Sequence, residues 1–223
     1  WQCMNESERV EWADLLDPTR FYDLKTSHVI NMADNFLGVA ARIAALSYQI
    51  GVGRERPLVD ALVERAAEPF NEASFYADDH PPVGRYDRYS NEFARFCWDA
   101  AEISGREDIL EKLKPSLKRQ MELWWDVVSP QGYSYNWGRS QGLVSYLDVL
   151  EIAAFLGRHP EFRPAPLSDI ASVYQLAWRW MVEDFDKNSH LFKIFSFGRG
   201  NCSYINPSRE WQQTGTALGK IIV

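Results

Sequence analysis

The sequence has little cysteine chemistry. Its three cysteines, Cys3, Cys97 and Cys202, are far apart and lack the close spacing of a zinc site or redox pair. No disulfide framework follows from them, and Cys97, inside an apolar stretch, is expected as a buried free thiol. The four histidines, His28, His80, His159 and His190, show no pairing at helical spacing, so no metal site is expected. Asp78-Asp79-His80 reads as a solvated loop and Gly198-Arg199-Gly200 as a turn. Gly-x-Ser-x-Gly, the phosphate loop and the dinucleotide fingerprint are all missing, and no cofactor is implied. Positive charge is in deficit: 24 Lys and Arg against 31 Asp and Glu leave −7. That balance excludes long-range attraction to polyanions and argues against a nucleic-acid partner. No apolar run reaches the ~18 residues of a spanning helix, so no membrane insertion is expected.

Aromatic residues are plentiful instead: nine Trp, ten Tyr and twelve Phe, more than a plain helical domain requires. One use of the surplus is stacking on sugar rings; the plain alternative is that large rings fill a large helical core. With 46% hydrophobic and 25% charged residues the composition is that of a globular domain. The chain opens at Trp1 without a signal peptide and stops at Gly219-Lys220-Ile221-Ile222-Val223 with an apolar helix in progress. The expectation is a fragment of a longer protein.

Residues 1–26 form a mixed polar lead-in, with Trp12 and Leu15-Leu16 in a short amphipathic piece and Pro18 as a breaker. From His28 to Ile50 the sequence turns small and apolar, which predicts a buried helix ended by Gly51 and Gly53. Pro57 then opens an amphipathic helix to about Asn71, with Leu58, Leu62, Val63 and Ala66 on one stripe. The unit recurs: a loop over 75–85, an apolar helix from Tyr86 to Ser104, and an amphipathic helix from Asp108 to Val128. It recurs again: a loop over 129–138, a nearly all-apolar helix over 140–157, and an amphipathic helix from Leu167 to Asp186. A final loop, His190–Pro207, leads into a helix over 208–223. Buried and half-buried helices alternating every roughly 50–70 residues mean helical hairpins stacked side by side. The expected fold is all-α: one α/α-toroid domain over 1–223, incomplete at about three and a half hairpins, with an open solenoid as the alternative.

In a toroid the loops before the inner helices emerge at one end and converge on one cleft. Three such entrances carry the same residue types. They are Arg85-Tyr86-Asp87-Arg88-Tyr89-Ser90-Asn91-Glu92, Tyr135-Asn136-Trp137-Gly138-Arg139-Ser140 and Tyr204-Ile205-Asn206-Pro207-Ser208-Arg209-Glu210-Trp211. His28, Asn31, Asp34 and Asn35 belong to the first inner helix. Arginine grips a carboxylate bidentately, Asn serves hydroxyls, and Tyr acts as acid or base beside cations. For any single residue the plain alternative is a helix cap or an ion pair; recurrence at three entrances favours a site. Arg139 and Tyr146, two helical turns apart, are expected on one face of the third inner helix.

Gly138-Arg139-Ser140 followed by Tyr146, with Tyr89-Ser90-Asn91 on the previous inner helix, resembles the α/α-toroid polysaccharide lyases. That resemblance implies cleavage of a uronic-acid glycan by β-elimination, without a cofactor. It makes Tyr146 the base and acid, puts Arg139 on the substrate carboxylate, and makes Asn91 its neutraliser, with Tyr89 beside it. Substrate contacts would come from Arg85, Tyr86, Tyr135, Asn136, Trp137, Arg209, Trp211, Asn35 and His28. The sequence departs from those lyases where Glu92 stands in place of a His beside the neutralising Asn. Asp87, Glu92 and Asp148 therefore carry the alternative, a glycoside hydrolase that uses a carboxylate pair in the same cleft. A third reading is a non-catalytic helical-repeat scaffold or carbohydrate-binding domain. An oligo- or polysaccharide is the expected partner, and a periplasmic or secreted setting would suit it.

Overall fold

The computed structural model describes residues 3–17, 22–23, 28–29, 37–52, 56–68, 70, 88–134, 143–183, 185–187 and 191–192. These form an all-α protein in which seven α-helices are joined, among the described residues, by one 3-10 turn and two two-residue strand pairs. The chain divides into two compact units, Trp1–Gln120 and Met121–Val223. Among the described residues no helix is long and apolar enough to cross a membrane.

The first unit begins with α1 (Glu6–Leu16), started by a capping box. The Asn5 side chain accepts the Glu8 N–H and the Glu8 carboxylate accepts the Asn5 N–H, each at 2.9 Å. The first inner helix was expected from His28, but His28 and Val29 are extended. They form β2, antiparallel to β1 (Tyr22–Asp23), with Tyr22 opposite Val29 and Asp23 opposite His28. The β-branched Val29 favours extended backbone, and the pairing satisfies polar groups that a first helical turn would leave open. The helix, α2, runs Leu37–Gln49 and stops at Gly51, whose φ of 79° lets Val52 N–H reach back to the Ser47 carbonyl at 2.9 Å.

Small side chains decide what α2 packs against. Gly38, Ala40, Ala41, Ala44, Ala45 and Ser47 are buried, and they admit both α3 (Arg56–Ala67) and α4 (Arg88–Ser104) at close range. A Cβ added at Gly38 would stand 2.7 Å from the Phe93 carbonyl oxygen of α4, so only glycine allows that approach. The predicted stripe of α3 is in place, with Leu58, Leu62, Val63 and Ala66 all buried. Its polar side holds the turn after α4. Arg106 reaches Glu64 at 2.8 Å and Asp108 at 2.7 Å, while Arg56 grips Asp60 at 3.0 Å and donates to the Ser104 carbonyl. Arg106 in turn holds the Asp108 carboxyl down, from its ordinary 3.8 to about 2. From that turn α5 (Glu107–Val127) departs. It continues through Pro115, which lies on the exposed side, where water can take the carbonyl left without a partner.

In the second unit α6 (Leu143–Arg158) packs on α7 (Leu167–Glu183), and β3 (Phe185–Asp186) pairs with β4 (Leu191–Phe192). The C-terminus of α6 is capped by a side chain: Arg163 donates to the Leu156 carbonyl at 2.7 Å and to the Gly157 carbonyl at 2.8 Å. Phe155 and Phe162 stack beside it with centroids 5.7 Å apart. The turn over 129–133 is fastened to α7 by Trp180, whose indole N–H donates to the Gln131 carbonyl at 2.7 Å. Gly132 there has φ 87°, and a Cβ would meet the Ala177 amide nitrogen at 2.6 Å.

Gly38→Ala and Gly132→Ala should each destabilise by about 1–3 kcal/mol, the second more because positive φ adds to the clash. Urea unfolding of the two variants measures this; midpoints unchanged from wild type would contradict the packing. The Asp108 contribution is complete above pH 3.8 and lost as pH falls through about 2. Asp108→Asn should therefore flatten the acid side of the stability profile over that interval.

Candidate functional site

In the first unit the chemistry gathers on α4. Phe93, Ala94, Phe96, Cys97, Trp98, Ala100 and Ala101 are all buried and form the apolar side of an amphipathic helix, whose Glu102 is exposed. Three polar residues intrude in its N-terminal half: Asn91 at 0% exposure, Glu92 at 9% and Arg95 at 4%. Arg95 donates its Nε–H to the Asn91 Oδ1 at 2.8 Å. Residues four apart differ by about 40° around a helix, so amide and guanidinium occupy one face. A buried guanidinium costs several kcal/mol unless it is hydrogen-bonded, so this pair is a constraint on the fold as well as a source of donors.

Further along α4, Arg42 of α2 meets Asp99 at 3.0 Å and lies over the Phe96 ring at 5.0 Å. Cys97 is fully enclosed, its thiol directed at the Val63 carbonyl at 3.8 Å. Burial pushes the thiol up to about 12, against a smaller lowering by Lys112, so it is no nucleophile at neutral pH. The expectation of a buried free thiol is met.

In the second unit the polar residues of interest lie on α6. From Tyr146 to Leu156 this helix is buried on nearly every side, with Tyr146 at 0%, Asp148 at 1% and Glu151 at 4% exposure. At about 100° per residue, Asp148 and Glu151 share a face, whereas Tyr146 lies roughly 140–160° away from both. The tyrosine and the two carboxylates of this helix therefore serve different surroundings. Ser134, the last residue of the described stretch 88–134, is also buried.

Of the residues singled out in the sequence, Asn91, Glu92, Tyr146 and Asp148 are thus placed with their side chains, all enclosed. Tyr89 lies in the first turn of α4 and His28 in β2, their side chains outside the described residues. Arg85, Tyr86, Asp87, Tyr135, Asn136, Trp137, Arg139, Arg209, Trp211 and Asn35 also lie outside the described residues. The two-turn spacing of Arg139 and Tyr146 falls there too, ahead of the Leu143 start of α6. Arg95 and Glu151 are the buried charges that the sequence reading missed. The available signal was helical spacing from a residue already singled out, four residues after Asn91 in one case and three after Asp148 in the other.

Comparison with family models, curated proteins and solved structures finds no match to this chain.

The enclosure of Cys97 is directly testable in a chain whose other cysteines are serine (Cys3→Ser, Cys202→Ser). Its reaction with an aromatic disulfide reagent should be roughly a hundredfold or more slower in the folded protein than in urea. Equal rates would contradict the packing of α4 on α3.

Proposed function

We propose that this chain belongs to an α/α toroid that cleaves a uronic-acid-containing glycan by β-elimination. The observation that carries the reading is the Asn91–Arg95 pair, an amide and a guanidinium buried together in the N-terminal half of α4. Such donors suit the carboxylate of a uronate, whose charge must be neutralised before the neighbouring C5 proton can leave. Successive helical hairpins also support it: α2 has the small, apolar character of an inner helix, and α3 carries a one-sided stripe as an outer helix does. On this reading Tyr146 takes the C5 proton, the C4–oxygen bond breaks as the 4,5 double bond forms, and Tyr146 returns a proton to the leaving oxygen. Arg139 and Asn91 hold the carboxylate, with Tyr89 alongside. No carboxylate of α6 shares the face of Tyr146, which suits a tyrosine that must give up its own proton.

One observation favours a second reading. Tyr146 and Asn91 have no exposed surface, as expected of residues packed in a non-catalytic helical-repeat scaffold. Catalysis requires the groups around them to part and admit substrate.

The chain is to be assayed for ultraviolet absorbance of an unsaturated uronate over polygalacturonate, alginate and glucuronan. Wild type should generate the chromophore, and Tyr146→Phe should lower the rate by about 10²–10⁴. New reducing ends without the chromophore would shift the chemistry to the carboxylates Asp87, Glu92 and Asp148. Neither product from any of the three polymers would leave the scaffold.

A further inference from the structure

We propose that one shoulder of α7 is a binding surface for a neutral, equatorially linked pyranose chain, with Tyr174 and Trp178 as its stacking platform. It uses none of the residues assigned to cleavage and stands apart from that reading. The helix turns Ile170, Val173, Ala177 and Met181 inward. At about 100° per residue, Tyr174 and Trp178 lie some 50–100° to one side of that stripe. Tyr174 is half-buried, whereas Trp178 is 41% exposed. Their ring planes are within 13° of parallel and their centroids 6.5 Å apart. That separation is at the outer end of offset stacking, so the rings overlap little and their faces are not spent on each other. Two side chains one helical turn apart thus present nearly parallel faces, spaced on the scale of one sugar residue in an extended chain.

A pyranose with equatorial hydroxyls has flat C–H faces and a rim of groups that both donate and accept. The rings answer the faces. Gln175, exposed on the solvent side of the same shoulder, answers the rim with donors and an acceptor in one amide. Charge then selects among ligands. The helix carries Asp169 and Glu183 against a single cation, Arg179, which lies 3.6 Å from Glu183. An anionic lipid surface calls for clustered cations, and an anionic polymer does the same; a neutral chain requires none. A second helix is the competing occupant, since Leu167 and Val182 extend the shoulder and are exposed. For that contact an aliphatic side chain serves as well as a ring, whereas stacking on a sugar needs the π-face.

Two substitutions at Trp178 separate the occupants. Trp178→Leu keeps an apolar side chain and removes the ring; Trp178→Phe keeps a ring. Affinity electrophoresis of the whole chain is run in gels containing hydroxyethylcellulose, xylan or polygalacturonate, with thermal melting alongside. Both variants should melt as wild type does, because the position is exposed. Hydroxyethylcellulose or xylan should retard wild type. Trp178→Leu should weaken that binding roughly tenfold, and Trp178→Phe should retain most of it. Wild type unretarded by both neutral polymers would overturn the proposal, as would equal retardation of wild type and Trp178→Leu. Trp178-dependent retardation that is stronger with polygalacturonate would overturn the preference for a neutral chain. Sedimentation of wild type as a dimer that Trp178→Asp disperses would give the shoulder to a second copy and overturn the glycan.

Discussion

The contact on which the first unit depends is the backbone approach of α2 to α4 at Gly38 and Phe93. No side chain other than hydrogen fits there. The row of Ala40, Ala41, Ala44 and Ala45 extends the same close contact along α2. A helix held this near its neighbours has little room to turn its polar residues toward water. Asn91, Glu92 and Arg95 are enclosed along with Phe93, Phe96 and Trp98. Their polar atoms must find partners inside the protein, and the 2.8 Å bond between Arg95 and Asn91 is one such solution.

The second unit reaches a comparable state by different means. Its helix α6 is buried by large side chains, Leu147, Leu150, Phe155 and Leu156 among them, and its end is closed by Arg163. Here the intruding polar groups divide by face, Tyr146 on one and Asp148 with Glu151 on another. That division bears on chemistry: a proton-abstracting tyrosine gains nothing from carboxylates beside it, whereas a hydrolytic pair requires them. The enclosure of Asn91 and Tyr146 makes access, rather than the identity of the groups, the physical demand on any catalytic reading.

The helical class and most helices were legible in the sequence because the signals were local. The α3 stripe follows from 3.6-residue periodicity, and the stop of α2 follows from Gly51. His28 and Val29 were misassigned to a helix because their neighbours on the C-terminal side are small and apolar, and periodicity does not register a two-residue strand pair. Asn91 and Tyr146 were singled out through their neighbours in sequence. Arg95 and Glu151 were missed because their significance lies in burial, which depends on what packs around a helix and not on the helix itself. The aromatic surplus was ambiguous for the same reason. Trp98 and Trp124 are buried, whereas Trp12 and Trp178 are exposed, and composition cannot sort them.

The central claim concerns the bond made and the bond broken at the glycan. Proton NMR of the products that the wild-type chain releases from polygalacturonate tests it most directly. Elimination predicts a vinyl proton at C4 of the new non-reducing end, rising in step with new reducing ends. Saturated products at both ends, or polymer left intact, would contradict it.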